Sequence, residues 1–370
     1  MRHKLLTLVL EVVVIASLVI AGCAKPAPAP TPTPTPPAPA PVVKPIELSV
    51  NYFTSAKGQN HFECWVPWKE AVERRTGGKI KVTLYPGGAL GKASEWYDIT
   101  VSGRADISWG NHAGEFPLFR ALNLPFYLPT QRYGTKITIE WMNRFADLCQ
   151  AQHPSTKLLW MHSDESSPLY MVKKPVRTLE DIKGKKILCV GGEANVLKAL
   201  GAAPIRDPNI GEWYLSLERG VADGATMIGI TPSNAMRLYE VAKYVTFPGW
   251  FGPGGFSTVM YPPTWKRLTP DEQEIILDEG DNWLEHQSSG SIKLKTKMLG
   301  EWKTEGVMFY DLSAEERARW EELYQPLYTH YVSEMEKKGL PGKEFLAICQ
   351  EVEAEAKSEA EAPWYEQFLG

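Results

Sequence analysis

The residues that could carry out catalysis or bind a metal do not fall into the spacings of a known motif. The glycine-rich segment 87–92 has Ala93 where a phosphate-binding loop requires serine or threonine after its lysine. Ser257, in the run Gly-Phe-Ser-Thr-Val, lacks the closing glycine of a nucleophile elbow. The seven histidines show no pairing four residues apart, which a His-Glu-x-x-His zinc site requires. The sequence therefore predicts no catalytic residue, no metal and no cofactor, although a catalytic triad need not be local in sequence.

One cysteine does lie in a context for chemical modification. The chain begins with basic residues at 2–4 and a mostly apolar run over 5–20, followed by Ala-Gly and Cys23. A basic start, a short apolar run and small residues before a cleavage site are typical of a secretory signal. Ile-Ala-Gly-Cys also matches the bacterial lipobox, in which the cysteine is diacylated. We therefore expect a lipoprotein signal peptide over 1–22 and a lipid on Cys23; an ordinary signal peptide with an incidental cysteine is the alternative.

A proline-rich segment separates this cysteine from the rest of the chain. Residues 24–45 contain 10 of the 29 prolines. Proline fixes φ and removes a backbone donor, so neither helix nor sheet can form there. A polyproline II spacer of this length, at about 3.1 Å per residue, reaches roughly 70 Å. We expect residues 23–45 to hold a globular body at a distance from the membrane, at the periplasmic side or the cell surface.

The four other cysteines are scattered along the chain, at Cys64, Cys149, Cys189 and Cys349. They form no Cys-x-x-Cys motif and have no metal-ligand spacing. A disulfide is compatible with an oxidising compartment outside the cytoplasm. We nevertheless favour buried free thiols, because free cysteine behaves as a small apolar residue.

The composition of the whole chain is typical of a globular protein. Residues 46–370 are enough for two domains of ordinary size. Apolar residues make up 44% and charged residues 23%, and the net charge of −4 argues against nucleic-acid binding. The 13 tryptophans and 15 tyrosines are numerous, and aromatic side chains line ligand clefts as well as cores.

Alternating and helical hydrophobic patterns predict an α/β fold. In the first half, strand and helix patterns alternate, which predicts a parallel sheet with ligand-binding loops after its strands. These elements are a strand at 46–53, a helix at 62–75, a strand at 79–85, a helix at 94–102 and a strand at 105–109. The pattern restarts with strands at 157–162, 168–172, 185–190, 225–230 and 244–247 and helices at 195–200 and 213–219. Helices are predicted at 270–304, 314–338 and 343–357.

Several segments occur in the order and spacing seen in the solute-binding proteins of TRAP (tripartite ATP-independent periplasmic) transporters. They are the run 72–91, Ser-Gly-Arg-Ala-Asp at 102–106, Phe-Pro-Leu at 116–118, Leu-Pro-Phe at 124–126, the run 174–187, Leu-Gly-Ala-Ala-Pro at 200–204, Gly-Val-Ala-Asp-Gly at 220–224 and the run 238–244. Any one of these motifs is common, but their order is specific. Over about 47–340 the chain resembles this family.

The resemblance implies a two-lobe periplasmic-binding-protein-like fold with a ligand cleft between the lobes. It implies lobe 1 over 46–163 with part of 256–300, and lobe 2 over 164–255 with part of the C-terminal helices. Hinge-spanning and C-terminal helices are expected over 270–370, with the long helix at 270–304 spanning both lobes. The implied function is capture of a small organic solute and its delivery to small and large permease subunits in the membrane.

The sequence departs from this family at the point where many members hold the substrate carboxylate. There an arginine directly follows the Lys-Ile strand residues, whereas this chain has Leu188. Leucine cannot form the two parallel hydrogen bonds that a guanidinium donates to a carboxylate. An asparagine or glutamate is also usual shortly after the Asp-Gly motif, where this chain has the segment 225–228 with Met227.

Two kinds of ligand are compatible with this departure. A neutral or largely apolar ligand would stack on side chains such as Trp109 and Phe251. An acid would instead be held by another donor, such as His112 or the backbone N–H groups near Gly191 and Gly192. We favour the neutral ligand, because the high aromatic content points the same way.

The expected ligand-binding residues follow the predicted strands or align with the family's cleft. They are Tyr52, Phe53, Trp109, Asn111, His112, Tyr170, Leu188, Met227, Trp250, Phe251 and Phe256. Several have a simpler alternative role: Trp109, Phe251 and Phe256 can be ordinary core, Asn111 and His112 can cap the next segment, and Tyr170 can pack at a hinge.

Two other functions remain open from the sequence. A lipoprotein that presents its ligand to a sensor kinase would use the same cleft, and neighbouring kinase genes rather than permease genes would indicate it. A secreted hydrolase would need a positioned nucleophile and base or a metal set, and turnover in a broad hydrolase screen would reveal it.

The expected lipid anchor can be tested by removing the thiol of Cys23. Replacing Cys23 with alanine removes the thiol that would carry the diacylglycerol. We expect Cys23→Ala protein to be soluble or unprocessed and to lack the diacylglycerol mass in intact-protein mass spectrometry. A processed Cys23→Ala protein that still fractionates with membranes would contradict the anchor.

Overall fold

The computed structural model describes residues 44–111, 116–164, 166–191, 193–207, 209–226, 229–251, 254–359 and 364–370, with only the backbone of Trp250 and Phe251. The predicted signal peptide, Cys23 and residues 24–43 of the proline-rich segment therefore lie outside the described residues. His112, Met227 and Gly192 lie outside them as well.

The described strands form two sheets. The strands are β1 (Ile46–Tyr52), β2 (Ile80–Tyr85), β3 (Ile107–Asn111), β4 (Lys157–Ser163), β5 (Ser167–Met171), β6 (Lys186–Cys189), β7 (Ala203–Arg206), β8 (Gly224–Ala225), β9 (Tyr244–Phe251), β10 (Gly255–Met260) and β11 (Met308–Asp311). The first sheet has the order β2-β1-β3-β10-β4 and the second β11-β9-β5-β8-β6-β7. Each sheet is the centre of one lobe.

Helices cover the two sheets. The α-helices are α1 (Val66–Arg75), α2 (Trp96–Val101), α3 (Gln131–Ala151), α4 (Leu179–Ile182), α5 (Glu193–Ala199), α6 (Trp213–Glu218), α7 (Ile230–Ala235), α8 (Pro262–Trp265), α9 (Pro270–Thr304), α10 (Ala314–Glu336) and α11 (Gly342–Ser358). A π-helix spans Asn60–Trp65, and 3₁₀ turns span Ala93–Glu95, Leu118–Asn123, Ile210–Glu212, Leu238–Glu240 and Glu366–Phe368.

The predicted parallel sheet is confirmed for β1, β2 and β3 but not for the whole of lobe 1. β1 pairs in parallel with both β2 and β3, as the alternating pattern indicates. β10, which the sequence did not predict, inserts antiparallel between β3 and β4. It runs the opposite way because it enters lobe 1 directly from β9 in lobe 2. The sheet is therefore mixed.

Other elements also differ from the sequence-based prediction. The strand predicted at 225–230 ends at Ala225, and α7 begins at Ile230 with Pro232 in its first turn. Proline is accepted in a first turn because the N–H that it lacks would have no partner there. The helix α3 was not predicted, although Tyr133, Ile137 and Trp141 lie four residues apart and are buried on one face.

The helix α9 spans both lobes, as predicted. Its 35 residues begin at a capping box, in which Thr269 accepts a hydrogen bond from the backbone N–H of Glu272. Trp283 is buried in the lobe 1 core, and Leu299 and Trp302 are buried in the lobe 2 core. One helix therefore contributes side chains to two separate cores.

A third core contains side chains from both lobes. It combines residues of α3 and β4 from lobe 1 with residues of β5, β6 and α5 from lobe 2, packed under α10 and α11. The four described cysteines are buried and free, as the sequence analysis favoured. Within the described ranges, no helix is both long and apolar enough to cross a membrane.

Hydrogen bonds to backbone carbonyl oxygens tie together the segments where strands pass from one lobe to the other. The Ser166 hydroxyl lies 2.7 Å from the Gly249 carbonyl oxygen and 3.1 Å from that of Phe126. The Leu128 N–H also donates to Gly249 O. Gly249 has φ +83°, and a Cβ there would lie 2.4 Å from the Tyr127 ring. Both the conformation and the close approach therefore require glycine.

We predict that Gly249→Ala destabilises the protein by more than Gly306→Ala. Both glycines have φ +83°, but a Cβ at Gly306 would meet nothing within 4 Å. The control should lose about 1 kcal/mol of unfolding free energy from the left-handed backbone alone. Gly249→Ala should lose a further ~1–3 kcal/mol, because the ring of Tyr127 has to move. Urea unfolding measures both values, and equal losses would contradict the close approach.

Candidate functional site

A cavity of about 1010 Å³ lies between the two lobes. Its walls come from three parts of the molecule: the lobe 1 sheet, the lobe 2 sheet and the middle of α9. Phe53 directly follows β1, Gly191 follows β6, and Arg206 is the last residue of β7. Lining residues therefore lie at carboxyl ends of parallel strands, where α/β sheets bind their ligands.

Four nearly parallel rings from neighbouring strands form one wall, which we call the aromatic row: Phe53, Trp109, Phe256 and His162. The ring centroids of Phe53 and Trp109 are 4.8 Å apart, those of Trp109 and Phe256 5.2 Å, and those of Phe256 and His162 4.7 Å. Phe53, at the end of the row, is 36% exposed. This wall suits the apolar or aromatic part of a ligand.

Burial inside the aromatic row keeps His162 neutral, and a hydrogen bond from Trp109 fixes its tautomer. The Trp109 indole N–H donates to His162 Nε2 over 2.9 Å, so the ring proton of a neutral His162 lies on Nδ1. Burial lowers the pKa of His162 to about 3, because a charged imidazole would lose its hydration. His162 therefore acts as a flat, uncharged ring and not as a cation.

The middle of α9 contributes a polar stripe of three residues, Gln287, Ser291 and Lys295. They recur every four residues, so they share one face of the helix, and all three are buried. Gln287 Oε1 accepts hydrogen bonds from Asn60 Nδ2 over 2.7 Å and from Cys64 Sγ over 3.3 Å. Both donors belong to the π-helix, an element often found at functional sites.

The lobe 2 wall carries one cation and one carboxyl group. Arg206 is exposed at the end of β7, where it pairs across the sheet with Cys189 of β6. Glu193, the first residue of α5, is only 5% exposed. Burial raises the pKa of Glu193 to about 7, while a hydrogen bond from its own backbone N–H and the charge of Arg206 act in the opposite direction.

Further charged groups line the cavity at its lobe 1 side and on α9. Arg120 and Lys295 add positive charge, and Asp164 adds negative charge. Asp164 Oδ1 accepts a hydrogen bond from Gln131 Nε2 over 2.9 Å. In the part of the chain that the structure describes, no three histidine, cysteine, aspartate or glutamate side chains are grouped to hold a metal ion.

The structure brings four of the predicted ligand-binding residues to the cavity: Phe53, Trp109, Asn111 and Phe256. It places Tyr52 in the lobe 1 core and both Tyr170 and Leu188 in the lobe 2 core, all away from the cavity lining. Successive strand residues point to opposite faces, which explains why Tyr52 is buried next to the cavity-lining Phe53. Trp250 and Phe251 lie in β9, and nothing further is described of them.

The sequence analysis missed most polar and charged residues of the cavity. Among them are Arg120, Gln131, His162, Asp164, Glu193, Arg206, Gln287, Ser291 and Lys295. The repeat of polar residues every four positions inside the long predicted helix was a signal for the polar stripe. No comparable signal marked Arg206, because Pro204 hid the short strand β7.

A serine–histidine pair outside the cavity resembles part of a catalytic triad. His153 Nε2 lies 2.8 Å from Ser257 Oγ, and His153 Nδ1 lies 2.8 Å from the carbonyl oxygen of Cys149. Both side chains are 0% exposed, and neither lines the cavity. A nucleophile must be reachable by its substrate, so this pair satisfies buried polar groups of the core.

Comparisons with known proteins agree with this geometry. The chain matches the model of the bacterial extracellular solute-binding protein family 7 over residues 51–335. The uncharacterised protein YiiZ of Salmonella typhimurium is 30% identical over 274 residues, which cover 70% of this chain and 79% of that protein.

Two solved structures share the fold. A TRAP periplasmic solute-binding protein from Desulfovibrio salexigens, in an open complex, has a TM-score of 0.75 at 24% identity and covers 86% of this chain and 99% of that one. Another from Bordetella bronchiseptica, with bound (R)- and (S)-mandelate, has a TM-score of 0.72 at 21% identity and covers 84% and 100%. The chain therefore belongs to family 7 of the bacterial extracellular solute-binding proteins, which confirms its resemblance to TRAP solute-binding proteins, the two-lobe fold and a role in binding rather than catalysis.

Proposed function

We propose that this chain is the solute-binding subunit of a TRAP-type secondary transporter and that it closes around a small organic acid with an apolar part. The observation that carries the proposal is the cavity of about 1010 Å³ between the two lobes of a family 7 chain. Apolar rings with a few converging polar groups are the usual lining of a small-molecule site. The bound solute would pass to the small and large permease subunits in the membrane.

The charges of the cavity favour an acid over the neutral ligand that the sequence suggested. That preference rested on Leu188, which stands where many relatives have an arginine. Arg206 lies on the adjacent strand, and the register places Ile205 beside Leu188 and Arg206 beside Cys189. Among the described residues Arg206 forms no ion pair, so its guanidinium is available to bind a carboxylate through two hydrogen bonds.

The two opposite walls suit the two ends of such a ligand. We assign the apolar end to Phe53, Trp109 and Phe256, with Asn111 as a polar neighbour, and the carboxylate to Arg206. The mandelate bound by the Bordetella bronchiseptica protein has both a ring and a carboxylate, which supports this class of ligand for the related chain.

The same proposal includes an anchor on the extracytoplasmic side of a membrane. A diacylated Cys23 would hold the protein at the membrane, and the proline-rich segment would keep the cleft within reach of the permease. A lipid with two acyl chains suffices for stable anchoring.

The first test is the effect of Arg206→Gln on carboxylate binding. Ligand released from the purified, denatured protein is identified by mass spectrometry, and its affinity is then measured by calorimetry. Losing the partner of a desolvated carboxylate costs about 2–5 kcal/mol, so Arg206→Gln should weaken binding by at least about 30-fold. Arg219→Gln is the control, because Arg219 is exposed in the same lobe and outside the cavity.

Equal affinities for Arg206→Gln and Arg219→Gln would show that Arg206 does not bind the ligand carboxylate. A released ligand without any acidic group would contradict the proposed ligand class.

The second test is closure of the lobes. A ligand that contacts both lobes favours the closed state, so saturating ligand should reduce the radius of gyration in solution scattering. It should also stabilise the fold by about 2.7 kcal/mol at a hundred times its dissociation constant. Binding with an unchanged radius of gyration would indicate a rigid binding protein and contradict closure.

A further inference from the structure

We propose that Glu193 determines ligand specificity in this cavity, an inference that rests on the proposed function. In this proposal Arg206 binds the ligand carboxylate, and Glu193 discriminates between the chemical groups next to that carboxylate. Acids with an adjacent hydrogen-bond donor, such as a hydroxyl group, are preferred. Acids with a second anionic group in that position are rejected.

The first support is the position of the Glu193 carboxyl group. The side chain lines the cavity but is 95% buried. Its Oε2 atom has no hydrogen-bond partner among the described residues. A buried acceptor without a partner carries a desolvation cost. A ligand that donates a hydrogen bond to Oε2 would remove that cost, and a ligand without a donor would not.

The space for this carboxyl group is maintained by a glycine. A Cβ at Gly191 would lie 3.1 Å from Glu193 Oε2 and 3.7 Å from Oε1. Gly191 also has φ +138°, which residues with a side chain rarely adopt. The backbone after β6 therefore leaves room for the Glu193 carboxyl group next to the strand that contains Leu188.

The second support is the placement of charge on the same wall. The charged or titratable groups coupled to Glu193 are Arg206 of β7 and the thiol of Cys189 in β6. Glu193 and Arg206 influence each other but form no ion pair within the described part of the chain. Both therefore keep their capacity to bind a ligand, one as an acceptor and the other as a double donor.

The protonation state of Glu193 makes this selection depend on pH. Burial raises its pKa to about 7. Above that pH the carboxylate accepts a hydrogen bond from a hydroxyl group and repels a second carboxylate. Below it the protonated carboxyl can donate to a second carboxylate, so the rejection should weaken.

Three phenyl-substituted acids that differ in one group test the proposal. Phenylacetate has hydrogen at the carbon next to the carboxylate, mandelate has a hydroxyl group, and phenylmalonate has a second carboxylate. For the wild-type protein at pH 8, calorimetry should rank mandelate about tenfold or more above phenylacetate, the usual effect of one good hydrogen bond to a charged group. Phenylmalonate should bind most weakly at pH 8 and more tightly at pH 6.

Two substitutions separate the two parts of the selection. Glu193→Gln removes the charge, so phenylmalonate should gain about tenfold in affinity at pH 8 and lose its pH dependence. Glu193→Leu removes the acceptor, so mandelate should lose its advantage over phenylacetate. Glu212→Gln, exposed in the same lobe and outside the cavity, should behave like the wild type.

The results also distinguish this inference from the proposed function. If both Glu193 variants keep the wild-type affinity ratios within about twofold, or if the wild type binds none of the three acids, Glu193 does not select ligands as proposed. Release of another organic acid from the purified protein would still support the proposed function.

A measurement without ligand tests whether Glu193 is buried and unpaired in solution. The pKa is raised from its ordinary value of 4.5 to about 7, so the folded state binds more protons than the unfolded state between these values. Stability therefore falls as pH rises through that window, and the whole loss is present above pH 7. Glu193→Gln should melt above the wild type by several degrees at pH 8 and close to it at pH 5. A difference that does not change with pH would overturn the proposal.

Discussion

The helix α9 has to be buried in two cores and yet remain polar between them. Trp283 fixes it in lobe 1, and Trp302 fixes it in lobe 2, about 28 Å further along the axis at 1.5 Å per residue. Between these anchors the polar stripe faces the cavity. An apolar helix would close the cleft by hydrophobic packing, whereas these polar side chains leave it open to a polar ligand. The two lobes and the cavity between them therefore depend on this helix.

The cavity contains buried polar atoms that lower the stability of the folded protein. In the aromatic row the four rings pack against one another, and Trp109 donates to a neutral His162. Both walls nevertheless contain buried polar atoms that have no hydrogen-bond partner among the described residues, namely Nδ1 of His162 and Oε2 of Glu193. Burying a polar atom without a partner costs free energy of folding. A ligand that supplied a partner would remove that cost.

The proposed carboxylate site differs from the family's usual one in its residue and not in its strands. A guanidinium binds a carboxylate through two parallel hydrogen bonds, and either of two adjacent lobe 2 strands could carry it. Here Leu188 packs into the lobe 2 core, and Arg206 lies one strand away at the cavity. Under the proposed function the arrangement of strands is retained, and Arg206 takes the place of the usual arginine.

The sequence by itself determined the α/β class, the three parallel strands of lobe 1 and the span of α9, because these follow from local periodicity and caps. It also identified Phe53, Trp109, Asn111 and Phe256 as residues near a cleft. Only the tertiary structure decided that Tyr52, Tyr170 and Leu188 belong to cores, because the facing of a strand residue depends on register. Likewise β10 lies antiparallel within lobe 1, and Glu193 and Arg206 line the same cavity wall, because these arrangements bring separate segments of the chain together. Local pattern fixes which elements form, and long-range packing fixes which side chains line the cavity.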